Sequence, residues 1–585
     1  MNYMKWCLLA VAVLGLGSCA GASKKPAEPA KPAVVPAERK GTVGELAAVS
    51  GANPILVQGY SLVTGLKGAG GAVLPQSLRE EMVKELSRHG IREPQRVLAD
   101  PDNAVVEVAG LIPPGAAKGE RFDLAVAPAR GTDTISLEGG FLLQTDLGSA
   151  EDRSGGAYVG SFMGDGKGPV FVSPFLLPSD KPTPAPSGGR RPITRAESAG
   201  NVASGAAAEV GPGPKSDPRL GRVLGGGRNS AARSLTLQLI DPSSRAADQI
   251  IRQINARFPD AAVGRLDPSV ITLRIPRSYA HDKVRFVNVV GSIFLADNPA
   301  QREEHLRELA RQLRRPAERD SAAYGLEAFG KACVPLLEPL QQDPDPAVRF
   351  YAARTLTCVG ATDTAATLEQ FIRDDSSPFQ EQAVQALGEL AAGGKNQLLA
   401  AFDARNPNVR IAAYLTLARV SPSLLPSVKI EDRMELAVVP SRSEPFVFVA
   451  RQLKPRIVLF GNVEIKPPLM IDTPRYLVTA SEGSLKATLI SKALGGRHPI
   501  ETNLSVADIV ATMAGPPNST AESPEPKGLD LAYSDLVGFL DRAHNEGAMN
   551  APIVLEPVQF VGPGTAAKPS GKPAGPESDI VIPEK

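Results

Sequence analysis

The feature that most constrains the fold is a segment that recurs in the second half of the chain. Asp345–Leu356 reads DPAVRFYAARTL and is echoed by Asn406–Leu417, which reads NPNVRIAAYLTL. A weaker copy, Ser377–Leu387, lies between them. A period of roughly 30 residues, with apolar residues at helical spacing, predicts stacked pairs of helices. A solenoid of so few units is stable only if its ends pack on neighbouring domains.

These units resemble HEAT repeats, since Val-Arg followed by Ala and Leu recurs at helical spacing. We assign the all-helical repeats to residues 319–426. On both sides the sequence mixes alternating strands with amphipathic helices. The predicted fold class is therefore α+β, with several mixed α/β domains and an inserted all-α solenoid. Because stacked helix pairs offer a concave face, we expect the insertion to project outward and to bind a partner there.

The first residues predict export from the cytoplasm. Lys5 precedes an apolar run, Trp6–Leu16, that has the length of a signal-peptide core and is too short to span a bilayer. The run ends in Leu-Gly-Ser before Cys19, which looks like a bacterial lipobox in which the cysteine thiol receives diacylglycerol. Residues 1–18 are thus predicted to be a lipoprotein signal peptide. The alternative is an ordinary signal peptide cleaved nearby, with Cys19 unmodified.

The residues after Cys19 predict how the chain is held. Residues 19–40 are rich in Pro, Ala and Lys, a composition that buries no core and stays extended as a tether. Ala20, next to the lipidated cysteine, favours the outer membrane. The predicted location is therefore the periplasm, anchored to the outer membrane by the N-terminal lipid.

Two cysteines remain once the signal peptide and the anchor are set aside. They are Cys333 and Cys358, and both lie in helical sequence with apolar neighbours. In an oxidising compartment a disulfide between them is one alternative. Two buried free thiols are the other.

The rest of the sequence divides where its composition changes. Alternating apolar residues predict a folded domain over residues 41–176, and a Pro/Gly/Ser/Ala mixture without periodicity predicts a disordered loop over 177–227. A strand-helix-strand pattern predicts a middle domain over 228–300. Mixed strands and helices predict a C-terminal region over 435–558, and the Pro/Gly/Lys-rich residues 559–585 are predicted to be a disordered tail.

Local signals predict where several helices begin and end. Ser77-Leu-Arg-Glu80 has the pattern of a capping box at the start of a helix. Asp241-Pro242 offers an N-cap followed by proline at the first helical position. Tyr533–Asn545 is predicted to be a helix that Gly547 stops.

Several blocks, in order along the chain, resemble the flagellar basal-body P-ring protein family. The strongest block is QGYSLVTGLKGAG, and the strand-like segments and the middle strand-helix-strand unit follow in the family's order. The blocks are Gln58–Gly70, Ala104–Pro114, Gly119–Val126, Ser136–Leu143, Ser234–Pro276 and Asp535–Ala551.

The resemblance implies a passive structural part and no enzyme. It implies many copies of this chain in a periplasmic ring that acts as a bushing around the flagellar rod, next to the L-ring protein and peptidoglycan. Exposed cations are our candidates for contacts with the rod or a neighbouring subunit: Lys67, Lys84, Lys118 and Arg121. The runner-up hypothesis is a lipid-tethered scaffold or protein-binding module of the cell envelope with a P-ring-like fold outside the flagellum.

The sequence carries none of the motifs that we sought for catalysis, cofactors or metals. The histidines are scattered without paired ligand spacing, at positions His89, His281, His305, His498 and His544. The turn Gly65–Gly71 lacks the spacing of a phosphate-binding loop, so a strand-to-helix turn is the better interpretation. With 64 Lys+Arg against 63 Asp+Glu, the net charge of +1 gives no reason to expect nucleic-acid binding.

Overall fold

The structure is a computed structural model, and its described residues lie within one compact unit, Glu38–Lys568. It describes residues 40–149, 161–175, 208–209, 217–264, 267–361, 363–390, 393–430, 433–492, 499–517 and 528–557. The predicted signal peptide and lipidation site, most of the tether and of the predicted loop, and the whole of the predicted tail lie outside these residues. Mixed α+β architecture is confirmed, with the helices concentrated in one central region.

Within the described ranges the strands fall into four sheets, one of which closes on itself. In chain order they are β1 Ala47–Ser50, β2 Ile55–Thr64, β3 Ala104–Ile112, β4 Arg121–Pro128, β5 Phe141–Ser149, β6 Phe162–Pro169, β7 Ala208–Glu209, β8 Gly221–Asn229, β9 Leu235–Leu239, β10 Ala262–Gly264, β11 Val270–Leu273, β12 Ser427–Ile430, β13 Met434–Val439, β14 Phe446–Val449, β15 Arg456–Phe460, β16 Leu469–Asp472, β17 Tyr476–Ala480, β18 Lys486–Ser491, β19 Ile500–Asn503 and β20 Ile553–Leu555.

The helices are mostly short, and none of those described is long and apolar enough to cross a membrane. In chain order they are α1 Val43–Leu46, α2 Gln76–Arg88, α3 Pro94–Leu98, α4 Ser244–Arg257, α5 Lys283–Gly291, α6 Pro299–Gln312, α7 Arg319–Phe329, α8 Val334–Leu337, α9 Pro346–Cys358, α10 Ala365–Arg373, α11 Gln380–Leu387, α12 Lys395–Ala400, α13 Pro407–Val420, α14 Val506–Ala514 and α15 Tyr533–Asn545.

The N-terminal half is built around a closed six-stranded barrel of order β2-β3-β4-β8-β6-β5. Valines and leucines such as Val108, Leu124 and Leu147 fill its interior. Helix α2 packs outside it through Met82 and Leu86. The predicted capping box at Ser77 is wrong, because Pro75 takes the N-cap position and the helix already includes Gln76.

The barrel does not coincide with the predicted domain 41–176. Strand β8, Gly221–Asn229, crosses the predicted boundary at residue 228 and pairs with both β4 and β6, so seven residues predicted to be disordered help to close the barrel. Strand β1 precedes the barrel in sequence but pairs with β9 of the neighbouring sheet.

The middle unit is a four-stranded sheet of order β1-β9-β11-β10, covered by α4 and α5. Leu235, Leu237 and Leu239 alternate into its core, as their spacing predicted. The predicted N-cap at Asp241 is wrong, because the helix starts two residues later. Ser243 is the N-cap, and its hydroxyl accepts a hydrogen bond from the amide of Ala246 at 3.4 Å.

The helical repeats begin at α6, before the predicted start at residue 319, and continue to α13. The two strong copies share one start: Asp345 caps α9, Asn406 caps α13, and each cap is followed by proline. In the weak copy α11 begins only at Gln380 and has no side-chain cap, which explains why its sequence signal is weaker.

The C-terminal region contains a six-stranded sheet of order β12-β13-β15-β14-β20-β7 and a four-stranded antiparallel sheet of order β16-β17-β18-β19. Helix α15 has the predicted bounds, and Gly547 follows it with a φ of +69°. One face of the six-stranded sheet shares a hydrophobic core with α9–α13. At their other end the repeats contact the middle unit through Arg285 and Glu327, so both ends are packed, as expected for a solenoid of so few units. The outward, partner-binding face of the repeats stays a prediction.

Candidate functional site

The four cations proposed from the sequence do not form one patch. Lys67 lies in the turn after β2, at one end of the barrel, with a φ of +49°. Lys118 lies in the turn between β3 and β4, and Arg121 is the first residue of β4. The antiparallel pairing of β2 with β3 puts that turn at the other end of the barrel. Lys84 is exposed on α2, outside the barrel wall. A single partner surface covers at most part of this set.

The β3–β4 turn lies at the junction between the barrel and the middle unit. Glu120 accepts hydrogen bonds from the ammonium of Lys283 at 2.8 and 3.1 Å. The guanidinium of Arg121 donates to the carbonyl of Gly225 at 3.4 Å. Gly225 belongs to β8 of the barrel itself, and Lys118 has no described contact, so Glu120 and not Arg121 serves the junction.

The glycine-rich turn after β2 is held by its own backbone. The amide of Gly70 donates to the carbonyl of Pro101, and that of Gly71 donates to the carbonyl of Asn103, each at 2.9 Å. A Cβ at Gly70 would lie 2.2 Å from the carbonyl oxygen of Asn103, so glycine is needed for close packing. Because these amides are already paired, they are not free to bind a phosphate.

A buried ionic cluster joins the middle unit to the repeats. On α5, the guanidinium of Arg285 contacts both carboxylate oxygens of Glu327 on α7, at 2.8 to 3.1 Å. The hydroxyl of Tyr279 donates to the same carboxylate. The side chains of Arg285 and Glu327 are only 9% and 4% exposed, so each charge depends on the other for compensation. Burial, followed by the charge of Glu327, raises the pKa of Tyr279 well above its usual value.

The cluster extends to a second repeat through Glu389, which follows α11. His281 from the middle unit lies 2.9 Å from its carboxylate, Arg419 on α13 lies at 3.3 Å, and Arg285 lies at 3.8 Å. Burial alone would raise the pKa of Glu389. The hydrogen bond and charge of His281 and the two guanidinium charges outweigh it and hold that pKa below its usual value.

Cys333 and Cys358 are both free thiols in the structure. Of the two alternatives, this is the one without a disulfide. Cys333 is fully buried in the core formed by α6–α9. Burial raises the pKa of each thiol to about 12. Both therefore stay protonated near neutral pH, which makes them poor nucleophiles and poor metal ligands.

The other end of the repeats is joined to the six-stranded sheet by packing around one arginine. The Arg410 side chain is 1% exposed and donates from both terminal nitrogens to the carbonyl of Glu444, at 2.8 and 2.9 Å. Its guanidinium lies 4.5 Å from the ring centroid of Phe446 and 5.4 Å from that of Phe460. The two rings stack at 4.4 Å. Burial lowers the pKa of Arg410 to about 10, so it remains charged at neutral pH.

Two cavities lie beside these junctions. One of about 100 Å³ lies where α4 meets α6 and α7, next to Arg257 and Phe329, and is small beside the few hundred Å³ typical of ligand pockets. An open groove of about 720 Å³ runs between the repeats and the loop before β14. Its charged side chains come from both regions and carry both signs: Glu369, Arg373, Asp375, Asp403, Arg405, Arg442 and Glu444.

Sequence reasoning missed the junction residues, although one signal was present. Arg410 and Arg349 are the arginines of the recurring Val-Arg pair. Arg349 donates within its own repeat, to the carbonyl of Asp343 at 2.8 Å, whereas Arg410 reaches across to the sheet. The recurrence marked both positions, but the distant partner of Arg410 was not visible in the sequence.

The fold and these junctions define a protein of several packed units, a barrel, two mixed units and helical repeats, that buried polar residues hold together. Residues 42–302 match the family model described as Flagellar P-ring protein, and residues 303–388 match the model described as HEAT repeats. The resemblance to the P-ring family is thus confirmed for the barrel and the middle unit. The matched region ends at residue 302, so the likeness of Asp535–Ala551 to the family stays a prediction.

Curated relatives agree with the family match. The chain is 30% identical over 245 residues to the Flagellar P-ring protein of Anaeromyxobacter sp. (strain K), covering 42% of this chain and 58% of the relative. It is 29% identical over 252 residues to that of Thermotoga petrophila, covering 43% of this chain and 66% of the relative. The chain therefore spans about three fifths of the length of the relatives that it matches.

Proposed function

We propose that this protein is a structural subunit of the flagellar P ring, a bushing around the rod, and that it performs no catalysis. One observation carries the proposal: the matched region, residues 42–302, coincides with the barrel and the middle unit. These two share more than a linker, because Lys283 on α5 of the middle unit donates to both carboxylate oxygens of Glu120 at the barrel end, at 2.8 and 3.1 Å. A rigid block of this kind is what a ring subunit needs.

The proposed setting is the periplasm at the base of the flagellum. Copies of the chain would join head to tail through heterologous interfaces that close into a ring. The rod, the L-ring protein and peptidoglycan would be its neighbours. The thiol of Cys19 would carry a lipid that anchors the subunit to the outer membrane, with residues 19–40 as the tether.

The helical repeats would act as an internal brace in this subunit. They connect the middle unit, through Arg285 and Glu327, to the C-terminal sheet, through Arg410 and Glu444. The exposed cations at the barrel ends, Lys67 and Lys118, remain our candidates for contacts with the rod or the next subunit. Lys84 and Arg121 are weaker candidates.

The test is whether the protein is part of the isolated basal body. Basal bodies would be purified from the native cell and the abundance of this chain measured by mass spectrometry relative to rod protein. We expect it at many copies per rod. Its absence from basal bodies, with full recovery in the outer-membrane fraction, would refute the ring assignment and favour the envelope scaffold.

A Cys19→Ser variant separates the anchor from the ring. If the two properties are independent, the variant loses the diacylglycerol mass from its N-terminal peptide and still co-purifies with basal bodies. An unmodified N-terminus in the unaltered protein would contradict lipidation and leave the ring assignment standing.

A further inference from the structure

Three potential metal ligands from different parts of the sequence meet on the outer wall of the barrel. Glu85 lies in the last turn of α2, His89 directly follows that helix, and Asp146 lies on β5. One ligand atom from each residue lies within 4.8 Å of the other two. We propose that these residues bind a divalent transition-metal ion, with Zn²⁺ as the best match.

The local fold positions the two helical ligands. Residues four apart lie on the same face of a helix, so Glu85 and His89 point in the same direction. The imidazole Nε2 of His89 is 3.1 Å from the Glu85 carboxylate. Met82 and Leu86 of the same helix are buried against the barrel wall, which fixes the helix in place. Only a small rotation of the side chains is needed to bring both groups to a metal ion.

The third ligand is held by the strand. Leu147 faces the barrel core, so its neighbour Asp146 faces outward, toward α2. Thr145 on its other side is fixed by a hydrogen bond from its hydroxyl to the carbonyl of Tyr60 at 2.9 Å. Asp146 therefore sits on a rigid strand, and the site joins a helix end to that strand.

An independent observation indicates that a cation belongs here. Asp146 lies directly opposite Asp165 in the β5–β6 pair. Like charges in that position destabilise a sheet. On the next strand, β8, Arg228 lies opposite Asp165. Among the described residues, neither Asp146 nor Asp165 forms an ion pair within 4 Å. A bound cation at Asp146 would remove the repulsion.

The donor set selects the class of ion. One imidazole and two carboxylates suit Zn²⁺ and similar first-row ions, whereas Mg²⁺ and Ca²⁺ prefer oxygen ligands alone. The alternative is an ordinary ion pair between Glu85 and His89 within the helix, with Arg88 also 3.0 Å from Glu85. That alternative gives Asp146 no part.

The test compares Asp146→Asn with the unaltered full-length protein, in chelator and in Zn²⁺. Asparagine keeps the shape and leaves the helix pair intact. In chelator we expect the variant to melt at the same temperature or higher, because the repulsion from Asp165 is gone. In Zn²⁺ we expect the unaltered protein to gain several degrees and the variant to gain little, with zinc affinity in titration calorimetry at least tenfold weaker.

Two further variants keep the result decisive. His89→Ala should also weaken zinc binding at least tenfold, whereas Arg88→Ala, the matched control on the same turn, should not weaken it, since it frees Glu85. Equal zinc affinity in Asp146→Asn and the unaltered protein would overturn the proposal. The proposal would also be overturned if Mg²⁺ stabilised the protein as much as Zn²⁺ does and if that stabilisation were unchanged in His89→Ala.

Discussion

The two ends of the helical repeats are joined to their neighbours by different kinds of interaction. At the N-terminal end the contact with the middle unit depends on paired charges, Arg285 with Glu327 and His281 with Glu389. At the C-terminal end the repeats and the six-stranded sheet share an apolar core, and the buried guanidinium of Arg410 contacts two aromatic rings and a carbonyl. The first junction should respond to charge and pH, and the second to side-chain volume.

The difference teaches how an inserted solenoid becomes part of a rigid subunit. An apolar core stabilises without requiring one geometry, whereas a buried ion pair is satisfied only in one arrangement. We infer that the C-terminal junction supplies most of the stability. The N-terminal junction would fix the angle between the repeats and the middle unit.

The largest effect is expected from Phe460→Ala at the C-terminal junction. Phe460 is fully buried and stacked on Phe446. Its truncation should cost about 4 kcal/mol in the free energy of unfolding, measured by urea denaturation. Leu415→Ala is the matched control, because Leu415 on α13 is 37% exposed and should cost far less. Equal losses would mean that the shared core is not formed.

Next in size is Glu327→Gln at the N-terminal junction. It leaves the buried charge of Arg285 with only the more distant carboxylate of Glu389, at 3.8 Å, and we expect a loss of about 3 kcal/mol in the free energy of unfolding. Glu303→Gln, which breaks an exposed helical pair with Arg307, should change it by less than about 0.5 kcal/mol. A double change of Arg285 and Glu327 to Met should cost less than Glu327→Gln alone. A double variant less stable than Glu327→Gln would contradict the interpretation.

A smaller effect is expected from acid at the same junction. The pKa of Glu389 is held below its usual 4.5 in the folded protein. Its contribution to stability is therefore complete above pH 4.5 and is lost as the pH falls through the lower folded-state pKa. Urea midpoints of the unaltered protein should fall more steeply below pH 4.5 than those of Glu389→Gln. Parallel curves would exclude this role for Glu389.

The smallest effect is expected where the barrel meets the middle unit. Lys283 and Glu120 form one half-buried pair, with side chains 17% and 32% exposed. Lys283→Ala should lower the free energy of unfolding by about 0.5 to 1 kcal/mol, and the loss should shrink in high salt. A salt-independent loss would show that packing, and not charge, is responsible.

Local patterns in the sequence predicted the elements whose signals are local. The helix Tyr533–Asn545 was predicted with the right bounds, because apolar spacing and a stop glycine lie within it or beside it. Strand β8 was missed for a physical reason. Its GRVLGGGRN sequence is glycine-rich because packing demands it: a Cβ at Gly227 would lie 2.6 Å from the ring of Phe122. Without the partner strand, that composition is indistinguishable from a flexible loop.

The candidate sites were less predictable, because their members are distant in sequence. Arg285 and Glu327 belong to regions that the sequence assigns to different domains. Glu85 and His89 are four residues apart in the sequence, but the register that brings Asp146 to them depends on the closure of the barrel. The sequence-based choice of Lys67, Lys84, Lys118 and Arg121 relied on charge alone, which says nothing about position.

Electron cryo-microscopy of isolated basal bodies tests most directly whether this protein is a ring subunit braced by its own helical repeats. We predict a ring around the rod in which every subunit carries ordered density for α9–α13 packed against the six-stranded sheet. A ring of subunits without that density, or with the repeats detached from the sheet, would contradict the brace. A rod surrounded by no copy of this chain would contradict the ring itself.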